Sequence, residues 1–271
     1  MTTLGRFCRG LCSVATGFTF PLGGWWLDRR RRLYDPARRE HGLAIILPGT
    51  EGRGPLNWSV ARGLQDGGFP GATLVHDWTT GLWPLFAFHL RAENRARRRA
   101  ATLARLITDY QDKYPGRPVH LLAHSGGAAI AIWALETLPA GRMVNSVVLF
   151  GPSLSQAYNL APALRRTEQG IRHFWSPLDM VFLAAGTLVA GTSDGRHSVS
   201  AGFCGFSLPP GAGQEDEELY RDRLWQRRYH PRMLGQFHWG GHLGWANRVF
   251  IAESVAPMLC DGNHADLFQS S

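Results

Sequence analysis

The chain has 271 residues, a length that suits one domain or two small ones, and its 44% apolar share is ample for a substantial core. Lys113 is the only lysine among the 29 basic residues, so the net charge of +8 resides on arginines. No segment holds the ~18 uninterrupted apolar residues of a membrane-spanning helix, and the four scattered cysteines lack the spacing of a metal site or a disulfide framework. We therefore expect no metal, and no motif points to a cofactor.

Residues 1–40 are predicted to form a loosely ordered N-terminal arm. Its arginine cluster, residues 29–32, follows Trp25 and Trp26, a combination that suits peripheral contact with a membrane. A solvated arginine-rich face is the alternative. Residues 11–26 lack the clean apolar region of a signal peptide, so we expect a cytoplasmic location, with or without membrane contact, and export stays open. No zinc-finger spacing or RNA-binding signature accompanies the charge, so no specific nucleic-acid partner is expected.

From residue 43 onward, short apolar runs alternate with helical patterns. The predicted strands are 43–47, 72–76, 119–123, 144–150, 171–175 and, more weakly, 233–237. The predicted helices are 58–66, 92–114, a helix after Ser125 that ends near residue 138, and 247–259. Strands that alternate with helices imply parallel crossover units. We therefore predict an α/β protein with three layers and a mostly parallel, doubly wound sheet of about six strands, all within one domain at 41–271.

A serine stands where the third predicted strand meets the helix that follows it. The strand 119–123 leads into Ser125, which is followed by Gly126 and Gly127. A serine at a sharp strand-to-helix turn with small neighbours is a nucleophile elbow, whose general pattern is G-x-S-x-G. Here Ala123 takes the place of the first glycine. An ordinary helix N-cap serine is the alternative interpretation.

A serine nucleophile needs a base, and the base needs an orienting acid. In parallel sheets such groups lie at the carboxyl ends of strands. Asp179 follows the strand 171–175, whereas its competitor Asp194 lies in a Ser-Asp-Gly sequence typical of a turn. His242 lies in a glycine-rich loop that enters the last helix. We favour it as the base over His238, which ends the weaker strand.

The oxyanion of an acyl-transfer reaction needs two N–H donors. We predict one from Gly126, directly after the serine. The other is predicted from Thr50, in the glycine-rich turn 48–52 after the first strand, where Glu51 is its neighbour. A phosphate-binding loop is not indicated there, because no Gly-Lys-Ser/Thr follows.

These motifs, taken in order, resemble the α/β-hydrolase superfamily and, within it, compact bacterial lipases and esterases. The matching pieces are Leu47-Pro48-Gly49, Ala123-His124-Ser125-Gly126-Gly127, Ser176-Pro177-Leu178-Asp179-Met180-Val181 and Gly240-Gly241-His242-Leu243-Gly244. The resemblance covers residues 43 to about 259. It implies Ser125 as nucleophile, His242 as base and Asp179 as acid. The span from acid to histidine is longer than in the smallest lipases, and we interpret residues 182–226 as a substrate-shaping insertion.

The expected function is a serine hydrolase that cleaves small carboxylic esters through an acyl-enzyme. Apolar side chains after the second strand suit an acyl group at the rim of the site, or else belong to the core: Trp83, Leu85, Phe86 and Phe88. The same three groups would also serve a thioesterase or amidase. Two other classes stay open, a catalytically silent scaffold and a basic protein that binds membranes or nucleic acid through its arginines.

Overall fold

The computed structural model describes residues 3–18, 36–79, 93–179 and 191–260. Six parallel strands form its centre: β1 Leu43–Leu47, β2 Ala72–Val75, β3 Val119–His124, β4 Ser146–Phe150, β5 Ile171–Trp175 and β6 Leu224–Arg228. Their order in the sheet is β2-β1-β3-β4-β5-β6. The predicted parallel sheet of about six strands is confirmed.

The direction of strand addition reverses between β1 and β3. β1 pairs with β2 on one side and with β3 on the other, and every later strand is added beyond β3. Leu47 is paired with Ala123, so the turns that leave β1 and β3 begin side by side. Ligands of open α/β sheets bind at such reversals, outside the carboxyl ends of the strands.

β1 is apolar along its whole length, and β4 is apolar after Ser146, because both faces of the sheet are covered. Every residue of β1 and of β4 is buried. Leu43, Ile45 and Leu47 point into one core, and Ala44 and Ile46 point into the other. This two-sided burial explains why these strands show continuous apolar runs and no alternation with polar residues.

Helices cover both faces of the sheet. Their bounds are α1 Thr3–Phe18, α2 Pro55–Asp66, α3 Glu93–Lys113, α4 Gly126–Glu136, α5 Ala161–Leu164, α6 Ala201–Cys204, α7 Gln214–Arg223, α8 Arg248–Phe250 and α9 Ala256–Cys260, with a π-helical turn at Ile251–Val255. Short 3₁₀ helices lie at Pro36–His41, Pro231–Gln236 and Gly244–Ala246. α3, α4, α5 and α7 share one core with the sheet, and α2, the π-helical turn and α9 share the other. The predicted three layers are therefore present.

The N-terminal helix α1 differs from the loosely ordered arm that the sequence predicted. It packs on α2 and α8. Gly10 lies close against Phe237, since a Cβ atom on Gly10 would be 2.3 Å from the ring of Phe237. The side chain of Asn247 donates a hydrogen bond to the Gly10 carbonyl at 3.1 Å.

Ion pairs join α1 to other described segments of the fold. Arg6 Nε lies 2.5 Å from Glu253 Oε1, and Arg9 lies 2.9 Å from Asp66 Oδ2. These contacts join segments far apart in the chain, which explains why the sequence of the arm alone did not reveal them. Trp25, Trp26 and the arginine cluster 29–32 lie outside the described residues. No described helix has the length and apolar character needed to cross a bilayer.

The predicted sixth strand, 233–237, is wrong. The sixth strand is β6, and most of 233–237 belongs to the 3₁₀ helix Pro231–Gln236. Pro231 fixes φ and lacks an N–H group, which suits the first turn of a helix. β6 lies at the edge of the sheet and is only partly buried, so it lacks the apolar run that identified the other strands.

Residues 182–226 are not wholly an insertion. The described part contains α6, α7 and most of β6, and therefore includes the connection that carries the chain from β5 to the last strand. The long span from Asp179 to His242 arises because a further crossover and a strand lie between them.

Candidate active site

Ser125 lies at the sharp turn between β3 and α4. Its backbone has φ 51° and ψ −120°, and Phe237 is the only other non-glycine residue in the described chain with a positive φ. A positive φ costs free energy for a residue with a Cβ atom. Ser125 occupies the N-cap position of α4, yet its side chain makes no capping hydrogen bond. The geometry therefore favours an elbow over an ordinary N-cap serine.

The small residues beside Ser125 are required by the turn after β1. A Cβ atom on Gly127 would lie 2.3 Å from the carbonyl oxygen of Pro48. A Cβ atom on Gly49 would lie 3.0 Å from the Cβ atom of Ser125. The two turns thus contact each other through backbone atoms, an approach that side chains at these glycines would prevent.

The two predicted oxyanion donors belong to these contacting turns. A Cβ atom on Gly126 would lie 3.2 Å from Thr50 Cγ2 and 3.2 Å from the ring of Trp78. Trp78 is buried, and its Nε1 donates a hydrogen bond to the Pro48 carbonyl at 2.7 Å, which fixes the turn after β1. Gly126 is in the first turn of α4, where backbone N–H groups have no acceptor within the helix.

Asp179 and His242 lie in direct contact. Asp179 follows β5, is 2% exposed, and its Oδ2 lies 2.5 Å from Nδ1 of His242. Its other oxygen, Oδ1, is buried without a hydrogen-bond partner among the described residues. A carboxylate accepts from Nδ1–H, so this pair fixes the neutral imidazole with Nε2 as its acceptor nitrogen.

The competing histidine, His238, is part of the core. It is fully buried, with its ring centroid 3.8 Å from that of Trp245 and 5.0 Å from that of Phe250. Burial lowers its pKa to about 3. Its Nδ1 accepts a hydrogen bond from the N–H of Gly240. These contacts give His238 a structural role in shaping the loop that carries His242.

The competing acid, Asp194, holds a different turn. Its two oxygens accept hydrogen bonds from the N–H and from the hydroxyl of Ser155, at 2.9 and 2.6 Å. Asp194 also lies 3.8 Å from the guanidinium of Arg196. The turn predicted for this residue is present, and its carboxylate is engaged there.

Two residues that the sequence analysis gave no role, His124 and Glu51, also meet at this site. His124 Nδ1 lies 3.4 Å from Glu51 Oε1, and its Nε2 lies 2.9 Å from the carbonyl oxygen of His242. The rings of His124 and His242 are 4.6 Å apart between centroids. Their positions in the sequence could have indicated a role at the site, because His124 directly precedes Ser125 and Glu51 directly follows Thr50.

A cavity of about 370 Å³ opens beside His242. It is bounded by α1, by the start of α2 and by the loop 237–247, and its lining side chains include Val14, Leu56, Trp239 and Leu243. A larger depression of about 1200 Å³ lies at the edge strand β6 and contains none of the predicted site residues. The predicted apolar rim, from Trp83 to Phe88, lies outside the described residues.

Comparison with known families places part of the chain. A family model described as "Alpha/beta hydrolase" matches residues 56–175, from the start of α2 to the end of β5. The match includes Ser125, whereas Thr50, Asp179 and His242 lie beyond it. No curated protein matches the chain.

The two histidines should respond differently to substitution. His242→Ala should lower kcat/KM for any substrate of the site by about 10⁴-fold or more, because a base that accepts the serine proton would be lost. His238→Ala should lower kcat far less than His242→Ala, through a looser loop, and should lower the melting temperature, because it opens a cavity among buried rings. Steady-state kinetics and thermal melts of both variants would check this. A larger kinetic loss in His238→Ala would contradict the choice of His242.

The two aspartates provide a second comparison. Asp179→Asn keeps the size of the side chain but removes the charge beside His242, so kcat should fall by about 10⁴-fold with little change in melting temperature. Asp194→Asn can still accept from the Ser155 N–H, so it should retain activity and lose about 1–3 kcal/mol of stability. If Asp194→Asn abolished turnover and Asp179→Asn did not, the acid would be misassigned.

Proposed function

We propose, from the family match over residues 56–175 together with the site geometry, that the chain is a serine hydrolase of the α/β-hydrolase superfamily that cleaves carboxylic esters. Ser125 is the nucleophile, His242 the general base and Asp179 the orienting acid. The observation that carries the proposal is the buried 2.5 Å contact between Asp179 and His242, on the loop beside the strained serine turn.

The reaction runs in two halves. Nε2 of His242 takes the hydroxyl proton of Ser125 as Oγ forms a bond to the ester carbonyl carbon. The oxyanion that develops accepts hydrogen bonds from the N–H groups of Thr50 and Gly126. When the tetrahedral intermediate collapses, the alkoxide leaves with the proton from His242, and the acyl group stays on Ser125.

Water then completes the cycle. His242 takes a proton from water as the oxygen attacks the acyl carbon, and returns that proton to Oγ as the carboxylic acid leaves. Throughout, Asp179 stabilises the imidazolium that forms on His242 and does not itself take up the proton.

The cavity beside His242 supports an ester with an apolar portion. Its polar lining groups already have hydrogen-bond partners. The Ser13 hydroxyl accepts a hydrogen bond from the N–H of Arg248. The side chain of Asn247 donates to the Gly10 carbonyl and accepts from the N–H of Val249. None of the described residues that line the cavity is an aspartate, glutamate, lysine or arginine. Its remaining walls are mostly apolar, so it favours a hydrocarbon chain over a polar substituent.

Covalent labelling tests the reaction class. A serine-directed fluorophosphonate should label the wild-type protein, and Ser125→Ala should abolish labelling with its fold intact, because the hydroxyl that His242 activates is removed. Circular dichroism provides the folding control. Wild-type protein that is not labelled and hydrolyses no p-nitrophenyl ester would indicate a silent scaffold, and labelling that persists in Ser125→Ala would locate the nucleophile elsewhere.

The chain-length preference tests the substrate class. Val14→Trp should partly fill the cavity from α1 and lower kcat/KM for p-nitrophenyl octanoate about 10-fold relative to the acetate ester, since each excluded methylene is worth about 0.8 kcal/mol. Ala15→Trp, on the exposed side of the same helix, is the matched control and should leave that ratio unchanged. Equal ratios in both variants would show that the acyl chain binds elsewhere.

A further inference from the structure

We propose that Glu51 and His124 form a buried ion pair that positions the loop carrying His242, with His124 acting as an imidazolium that holds the His242 carbonyl. The catalytic part of this inference rests on the proposed function, since it assumes that His242 is the base. Both residues are positioning residues, because they would touch neither the substrate nor the reacting atoms.

The protonation state of His124 follows from its two partners. Nδ1 faces a carboxylate oxygen of Glu51 at 3.4 Å, and Nε2 faces the main-chain oxygen of His242 at 2.9 Å. The carbonyl oxygen of His242 can accept a hydrogen bond but cannot donate one. The same holds for the Glu51 carboxylate when it is ionised. A neutral imidazole has one N–H and would turn a lone pair toward one of the two acceptors. The imidazolium has two N–H groups and satisfies both.

The charges around His124 favour the same state. Burial acts to lower the pKa of His124, but the hydrogen bond and negative charge of Glu51, the His242 carbonyl and the more distant Asp179 together raise it. Burial likewise acts to raise the pKa of Glu51, but its bond to His124 and the nearby positive charge together lower it.

The other buried histidines lack these partners. His120 and His173 bond to a hydroxyl and to an amide, and burial lowers the pKa of each to about 4. A carboxylate on one side and a carbonyl on the other thus distinguish His124 from imidazoles that are buried as neutral groups.

The ion pair joins three segments that the reaction needs together. Glu51 also accepts a hydrogen bond from the N–H of Gly49 at 3.0 Å, so it holds the turn that contains Thr50. His124 belongs to the serine turn. Through the His242 carbonyl, the pair fixes the backbone of a loop in which Gly241 has nothing within 4 Å of its Cβ position.

The balance of charge also matters for the reaction. An isolated cation 4.6 Å from the His242 ring would oppose a second positive charge there. The carboxylate of Glu51 compensates the charge of His124. His124 can therefore donate to the His242 carbonyl, and the net-neutral pair repels only weakly the positive charge that forms on His242 during catalysis.

Glu51→Gln tests the pair by removing its charge while keeping an acceptor for Gly49. We expect kcat for p-nitrophenyl acetate to fall about 10- to 100-fold with little change in KM, because the loop is held less firmly. In the wild type, kcat should decline as the pH rises through the raised pKa of His124, and Glu51→Gln should shift that decline to lower pH. His120→Gln, a buried histidine on the same strand, is the matched control and should change neither kcat nor its pH profile.

A spectroscopic measurement tests the inference without relying on catalysis. Nitrogen-15 NMR of the imidazole rings should show both ring nitrogens of His124 protonated at about pH 6.5, with the signal assigned by its loss in His124→Asn. Glu51→Gln should convert that signal to a neutral imidazole. A neutral His124 in the wild type at that pH would overturn the proposal, even if esters are hydrolysed.

Thermal stability gives the second readout independent of activity. A raised pKa in the folded state means that the contribution of His124 is complete below its ordinary value of 6.5 and is lost as the pH rises through the folded value. The melting-temperature difference between wild type and Glu51→Gln should therefore be larger near pH 6 than near pH 9. A constant difference would contradict the ion pair. If no ester is hydrolysed, the proposed function fails, while the NMR and melting results still decide the state of His124.

Discussion

The parallel pairing of β1 with β3 is the constraint on which the site depends. Because Leu47 is paired with Ala123, the chain leaves both strands at the same level of the sheet. The two turns must then share a very small space, and the approach of Gly127 to the Pro48 carbonyl shows how closely their backbones pack. The strain at Ser125 is maintained because β3, α4 and the neighbouring turn together leave the serine no relaxed alternative.

The opposite side of the site is less constrained. Asp179 is fixed by β5, but His242 lies on a loop between two short 3₁₀ helices, with glycine on both sides along the chain. Buried rings around His238 hold the base of this loop, and polar contacts from Asp179 and His124 hold its tip. Rigid strands thus position the serine, whereas side-chain contacts from distant segments position the histidine.

Local patterns predicted most of the sheet and the residues brought together near Ser125. β1 was predicted with the bounds that the structure shows, because its full burial leaves an uninterrupted apolar run, and the bounds predicted for β5 also match. β6 was missed because an edge strand needs no such run. The docking of α1 and the Glu51–His124 contact could not be predicted, because each depends on pairs of residues brought together only by the complete fold. The separation between Glu51 and His124 is 73 positions.

The position of α1 has a consequence for how the protein is made and stabilised. One wall of the cavity beside His242 comes from the first helix and another from residues near 240, and the bond between Asn247 and Gly10 joins positions 237 residues apart. The cavity therefore does not exist on a partly synthesised chain or on one in which α1 has come away. A hydrocarbon that fills the cavity binds only the molecule in which α1 is docked. Its binding free energy would therefore add directly to the free energy needed to detach α1.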